Sequence, residues 1–432
     1  MRVLWICNIM LPMIAEQLNL PYSNREGWLS GLADKLLSRN AGEIQLGICF
    51  PVEKSMWDFE QILALKENTT CFCYGFEEDL NHPEKYSHSL EKRFQYIFDS
   101  FHPDMIHIFG TEFPHTLAAV KVYNRPDRTL IGLQGLCSAI AKVYSAKIPL
   151  RVKYIPTLRD VLKQDSIWQQ QDKYKQRGVH EIEALKLTGH VTGRTDFDMH
   201  EMDRINPNAV YHFMNETMRA PFYSGSWNPG HCEKYSIFLS QGDYPLKGFH
   251  FLLQAMPKVL EQYPDAMVYV AGSNLLEKAT LKDRLKRSAY GRYLGKLIRQ
   301  NHLSQHVVML GRLTAQQMKE QYLRSNVFVC PSILENSPNS LGEAMLLGVP
   351  CIASKVGGIP NMLEESQDGM LFPAGDSEAL ADRIIEMFQK EELARQYSIN
   401  AKRHAYRTHD GDVNYRHLLD IYEDICASTT AR

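Results

Sequence analysis

Two carboxylates eight positions apart, Glu335 and Glu343, frame a stretch that reads SILENSPNSLGEAMLLGVP from Ser332 to Pro350. An ionised carboxylate is acceptor-only and takes two hydroxyl hydrogens at once. The amides of Asn339, Ser340 and Leu341 fall where a helix begins, and free backbone N–H groups at a helix start attract phosphate. Hydroxyl acceptors beside a phosphate seat suit a nucleotide sugar, with Glu343 on the ribose, Glu335 on the sugar hydroxyls and the amides on the diphosphate. Two plainer readings stand beside this one. Ser340-Leu341-Gly342-Glu343 fits S-x-x-E, a capping box in which Glu343 only closes the helix start, and Glu335 fits a solvated loop.

The elements that would position these residues are legible around them. Val327–Cys330 is a short β-branched and aromatic run, the pattern of a buried parallel strand. The polar residues from Glu335 to Asn339 break it, and a helical pattern runs from Ser340 until Gly348 and Pro350 stop it. In an open α/β sheet the loop beyond a strand's carboxyl end is where ligands bind. A second strand, Ser236–Leu239, leads through Gln241 and Gly242 to Lys247, which precedes a helix with Leu252, Met256, Val259, Leu260 and Tyr263 on one face. A lysine there suits a diphosphate clamp. Pro257 inside that helix predicts a kink, at a cost of roughly 3 kcal/mol. Two more strands end near glycine, Val307–Leu310 at Gly311 and Arg312, and Cys351–Ser354 before Gly357 and Gly358, and the second pair would bring amides against the same ligand.

The first half repeats the alternation of strand and helix, with apolar runs at Val3–Ile9, Ile44–Cys49, Met105–Phe109, Thr129–Leu133, His190–Thr192 and Val210–Met214. This predicts a doubly wound parallel sheet. Gly27, after Asn24-Arg25-Glu26, would let backbone approach a ligand or simply make a turn. Phe109 to Glu112 and Leu133 to Gly135 end two strands on one rim. His107 reads as a packed core histidine, whereas His115 is a candidate to touch an acceptor. Arg194 reads as a strand-end cation beside it. Asp196-Phe197-Asp198 is a D-x-D triplet, but Thr195 or Asp196 suits a helix N-cap better than a metal site. Polar residues 224–230 read as a linker, and the stripe Tyr415, Leu418, Leu419, Tyr422, Ile425 as an amphipathic last helix.

A chain of 432 residues predicts two or three domains. Its 48 basic and 50 acidic residues nearly cancel, which excludes bulk attraction to nucleic acid. Nine scattered cysteines lack paired C-x-x-C sets, so zinc is not expected and a reducing cytosol is; Cys71-Phe72-Cys73 reads as strand. The apolar run from Val3 reads as a strand rather than a signal peptide, and no run is long enough to span a bilayer. Two basic stretches stand out. Residues 141–163 hold six basic residues against Asp160, interleaved with Tyr144, Leu150, Tyr154 and Ile155. They suit an anionic bilayer surface or a pyrophosphate-linked lipid acceptor, and equally a solvated face. Residues 275–299 carry eight Lys/Arg against Glu277 and Asp283 and read as a solvated face.

The E-x(7)-E spacing, followed by Lys355-Val356-Gly357-Gly358-Ile359-Pro360, resembles the donor site of the group 1 (family four) retaining glycosyltransferases, similar to bacterial enzymes of surface polysaccharide synthesis. The likeness runs from Tyr235 to Pro373. It implies a GT-B fold, two Rossmann-like doubly wound domains facing a central cleft. The N-terminal domain, 1–223, would take the acceptor, with helix 412–427 returning to it. The C-terminal domain, 231–411, would take the donor, and 224–230 would link the two. The resemblance further implies transfer from a UDP- or GDP-sugar to a glycan or lipid-linked acceptor, with no cofactor and no metal. Glu335 and Lys247 would be catalytic, and Glu343, Gly311, Arg312, Asn339, Ser340, Leu341, Gly357 and Gly358 would bind the donor. Gly27, His115, Gln134 and Arg194 would line the acceptor side. A cytoplasmic protein, peripheral on the inner membrane face through 141–163, is the matching expectation. The chain departs from the family pattern at Gln134, where many relatives carry histidine, and at Gln241-Gly242, where an arginine is usual. These departures keep open a non-catalytic partner subunit, and the shared architecture keeps open a nucleotide-sugar epimerase.

Overall fold

The computed structural model describes residues 1–20, 27–39, 42–66, 69–145, 147–276 and 286–427. It is an α/β protein with two sheets, one of eight strands and one of six. The first comprises β1 (Arg2–Ile6), β2 (Gln45–Val52), β3 (Glu60–Lys66), β4 (Thr69–Glu77), β5 (Met105–Phe109), β6 (Thr129–Gly132), β7 (His190–Gly193) and β8 (Val210–Phe213). Their spatial order is β3-β4-β2-β1-β5-β6-β7-β8. All pairs are parallel except β3 with β4. The antiparallel edge departs from the expected all-parallel sheet. Only two residues separate Lys66 from Thr69, which leaves no length for a crossover helix.

The second sheet comprises β9 (Glu233–Leu239), β10 (Met267–Ala271), β11 (Val307–Gly311), β12 (Ser325–Cys330), β13 (Cys351–Ser354) and β14 (Gly369–Phe372), in the order β11-β10-β9-β12-β13-β14. Every pair is parallel. Helix Phe249–Gln262 runs through Pro257. The proline has no N–H for the Leu253 carbonyl one turn earlier, and Asn301 Nδ2 donates to that carbonyl at 2.9 Å instead.

The chain divides into two compact units, and the division differs from a simple break at residue 223. Lys142–Asp172 belongs with Ala220–Thr408, while Lys173–Arg219 and the segment from His409 belong with the first sheet. Side-chain anchors account for the excursion: Lys147 Nζ donates to the Ala374 carbonyl at 2.6 Å, and Asp160 accepts from the Ala289 amide at 2.8 Å. The polar stretch 224–230 is likewise held within the second unit. Its Trp227 is buried, with backbone N–H on Leu347 O at 2.8 Å and Nε1 on Ser325 O at 2.9 Å.

In the first unit, helix Gly411–Ala427 lays Tyr415, Leu418, Ile421, Tyr422 and Ile425 into the core that holds Val3, Trp5 and Leu36. Trp5 Nε1 donates to Tyr422 Oη at 2.8 Å, and the Tyr422 hydroxyl meets His107 Nδ1 at 2.7 Å. An indole only donates, so the hydroxyl keeps its own hydrogen for the imidazole. Burial pushes the His107 pKa down to about 3, which makes it the neutral core histidine the strand pattern suggests. Replacing Tyr422 by Phe leaves two buried polar groups without partners. The expected loss is roughly 1–3 kcal/mol of first-unit stability, read as an earlier denaturant transition; an unchanged midpoint would mean that the pair contributes nothing.

Candidate active site

The second sheet changes direction between β9 and β12: from β9 the chain steps outward through β10 to β11, then returns to the other side through β12, β13 and β14. The carboxyl ends of β9 and β12 therefore flank a switch point, where open α/β sheets take ligands. Lys247 ends the short turn Pro245–Lys247 after β9, and Glu335 lies in the loop after β12. Their side chains meet across the switch point, Nζ to Oε1, at 2.7 Å. Ser332 Oγ donates to the same oxygen at 2.6 Å. Both protein donors thus converge on Oε1, and among the described residues none engages Oε2. Burial works against the Lys247 charge, but the Glu335 carboxylate and the Tyr244 phenol outweigh it and hold its pKa above the ordinary lysine value.

Backbone contacts fix this geometry. Ile333 N–H donates to Leu246 O at 2.8 Å, joining the two loops. Gly248 has φ +68°, and a Cβ there would lie 1.9 Å from Pro331 O. Gly357 has φ +49°, and its Cβ would lie 1.9 Å from Glu335 O, an oxygen that accepts from the Gly358 amide at 3.1 Å. Only glycine tolerates both the conformation and the approach. The Gly358 amide is therefore occupied by protein, and Gly358 also starts the short helix Ile359–Met362.

Helix Asn339–Leu347 is capped by Pro338 without a side-chain bond, so Ser340 is its second residue and no S-x-x-E capping box forms. Glu343 is buried at 5% exposure on this helix. The Leu341 amide donates to Pro338 O at 2.9 Å in a 3₁₀-type bond that tightens the first turn, and its side chain is in the core; it is not free to meet a phosphate. The amides of Asn339 and Ser340 have no partner among the described residues, and Asn339 Oδ1 is buried without one. The Ser340 carbonyl receives Tyr322 Oη at 2.9 Å. Gly311, at φ +74°, has open space where a Cβ would be, and Arg312 beside it is exposed. Gly242 packs against Val270 and Phe249, with 2.7 Å from its virtual Cβ to Val270, so a longer side chain there would displace the core. Ser332 is the participant sequence reading missed, because a serine three positions before a loop glutamate carries no periodic signal.

The four acceptor-side candidates lie in the first unit. Gly27 begins helix Gly27–Arg39, and its virtual Cβ would fall 2.4 Å from Arg219 Cδ, so this glycine makes room for an arginine side chain. The preceding residues 24–26 lie outside the described residues. His115 does not reach solvent: it is fully buried, held by Glu78 through Nδ1 and through its backbone amide at 3.1 Å. Arg194 is no free cation, being paired with buried Glu216 and bonded to Leu133 O at 3.0 Å. Gln134 lines a small hollow with Arg194, Glu216 and Thr192. Glu112 ties this rim together, accepting from Gly135 N–H at 2.8 Å and Asn8 Nδ2 at 3.2 Å. The D-x-D triplet is a helix start, with Thr195 the N-cap and Asp198 completing a capping box. All nine cysteines are free thiols.

Residues 226–404 match the family of glycosyl transferases group 1. A phosphatidyl-myo-inositol mannosyltransferase of Mycobacterium leprae is 29% identical over 196 residues, 45% of this chain and 48% of that protein. The chain thus spans about half the length of the curated relatives it matches. Among solved structures, sucrose-phosphate synthase from Thermosynechococcus elongatus superposes with TM-score 0.69 at 16% identity, covering 99% of this chain and 100% of that one. HepE of Anabaena, in complex with UDP and glucose, superposes with TM-score 0.64 at 15% identity, over 98% and 100% of the two chains. The fold is GT-B.

Replacing Glu335 by Gln leaves the Lys247 ammonium largely enclosed without its carboxylate. The expected loss is roughly 1–3 kcal/mol of second-unit stability at neutral pH. The sign with pH follows from the raised lysine pKa: the pair's contribution is whole below about 10.4 and fades as pH rises through the folded-state value. Denaturant unfolding of both proteins from pH 7 upward checks this. Curves that coincide at pH 7 would show that the pair does not stabilise the fold.

Proposed function

Since residues 226–404 form a group 1 glycosyltransferase domain within a GT-B chain, we propose that this protein transfers a hexosyl group from a nucleotide sugar to a hydroxyl of a glycan or lipid-linked acceptor. The reading includes retained anomeric configuration, no metal, and a cytoplasmic role in building cell-surface polysaccharide. The observation that carries it is the Lys247–Glu335 pair at the switch point, 2.7 Å long, with one carboxylate oxygen held and the other open.

In this reading the open oxygen of Glu335 accepts sugar hydroxyls, and Lys247 lies against the diphosphate. Cleavage of the bond from the anomeric carbon to the phosphate oxygen builds negative charge on the leaving group. Lys247 and the Asn339 and Ser340 amides meet that charge in place, with no reorganisation at the moment of reaction. The acceptor oxygen attacks from the face the diphosphate leaves, and the departing phosphate oxygen takes its proton. No enzyme carboxylate forms a covalent bond in this route; Glu335 orients the sugar. Glu343, buried on the adjoining helix near its start, accepts from the ribose in this reading. UDP in the HepE complex favours a uridine donor, and the name of the mycobacterial relative fits a lipid-linked acceptor.

A thermal-shift screen of UDP-, GDP- and ADP-sugars, without added metal, tests the donor class. A ligand at 100 times its dissociation constant adds about 2.7 kcal/mol of stability. One nucleotide sugar is expected to stabilise the wild type and to lose most of that effect on Glu343→Ala, while Glu335→Ala abolishes transfer. Stabilisation by none, with folded protein and intact ligands, or near wild-type turnover in Glu335→Ala, would remove these residues from a donor site.

A further inference from the structure

The segment Lys142–Asp172 packs with the second unit yet leaves an unusual outer surface. Its helices Leu150–Tyr154 and Leu158–Lys163 expose Leu150 at 73%, Ile155 at 63%, Leu158 at 59% and Leu162 at 76%, with Tyr154 and Val161 also more than half exposed. Six large apolar side chains stand more than half exposed within thirteen residues, and clustered exposed apolar surface marks interaction sites. The exposure is not a sign of loose folding. Thr157 and Asp160 form a capping box, Asp160 is fully buried and also accepts from the Ala289 amide, and Lys147 holds the Ala374 carbonyl. The inner face is therefore anchored at both ends while the outer one is left bare.

Among the described residues from 150 to 163, the exposed charges are basic. Arg151 and Lys163 are exposed, and Lys153 Nζ lies 5.1 Å over the Tyr154 ring. Arg159 does not contribute, being paired with Asp160 and Asp165. Helix Ala289–Gln300 lies against helix Leu150–Tyr154 and exposes Arg292, Lys296 and Arg299, with no acid between residues 286 and 300. Two stretches remote in sequence thus form one cationic margin to one apolar patch.

We propose that this face docks the protein on a bilayer surface containing anionic lipid. The leucine and isoleucine side chains enter the headgroup boundary, and the basic margin binds lipid phosphates. Charge complementarity selects this occupant. A second copy of the chain in a two-fold arrangement would set the same cationic margins against each other, whereas an anionic bilayer satisfies both the apolar patch and its fringe.

The test is co-sedimentation of the full chain with phosphatidylcholine vesicles with and without phosphatidylglycerol. Binding is expected only to the anionic vesicles and to fall with salt. The triple change Leu150→Ser, Leu158→Ser, Leu162→Ser and, separately, Arg151→Glu with Lys163→Glu should each weaken it by roughly tenfold or more. Because these side chains are exposed, the melting temperature should not move, which separates lost docking from lost folding. No binding to anionic vesicles, or binding indifferent to both variants, overturns the proposal. So does a wild-type dimer in sedimentation velocity that the leucine variant converts to monomer, since the face would then join two copies.

Discussion

The ion pair between Lys247 and Glu335 joins the loops at the carboxyl ends of two neighbouring strands of the second sheet, and much else in that unit serves to bring these loops together. They follow strands β9 and β12, adjacent in space although β10 and β11 intervene in the chain. Each loop is pressed into place by a glycine in left-handed conformation, Gly248 against Pro331 O and Gly357 against Glu335 O. Neither approach is open to a residue with a Cβ. An ion pair removed from water is stabilising only when its remaining lone pairs are met. Here Ser332 supplies one donor, and among the described residues none reaches the other oxygen. The site is thus ordered on its protein side and incomplete on its solvent side.

The carboxylates of the first sheet's rim behave otherwise. Glu216 is closed off by Arg194, and burial still pushes its carboxyl upward. Glu181 accepts from Thr111 Oγ1 and from the Cys137 and Ser138 amides, taking the anion's place at the start of helix Cys137–Val143. Glu112 binds Gly135 N–H and Asn8. These acids and Arg194 tie loop to loop, so the strand-end position that makes a residue look functional is here largely structural. The difference from Glu335 lies in which oxygens the protein's donors reach: Glu112 has one on each oxygen, whereas both of those on Glu335 meet Oε1.

The excursion Lys142–Asp172 shows how a local motif acquires a second use. Asp160 satisfies its own helix start and that of helix Ala289–Gln300. The same residue thereby brings two basic stretches onto one face. That buried carboxylate adds a hydrogen bond to the direct packing of helix Leu150–Tyr154 on helix Ala289–Gln300.

Sequence alone determined the alternation of strands and helices, the two-sheet architecture and the positions of Lys247, Glu335 and Glu343, because apolar period and turn residues are local properties. It also marked Gly357, whose left-handed backbone and approach to Glu335 O exclude any other residue, and Gly358 beside it, whose φ is ordinary. What each polar residue does was decided by neighbours distant in the chain. The pattern S-x-x-E at Ser340 reads as a capping box until the helix is seen to begin at Asn339. His115 reads as a candidate to touch an acceptor until Glu78 and Phe76 enclose it. Arg194 reads as a free cation until Glu216 meets it. Period and propensity act over a few residues, whereas burial and pairing are settled only when strands far apart in the sequence become adjacent.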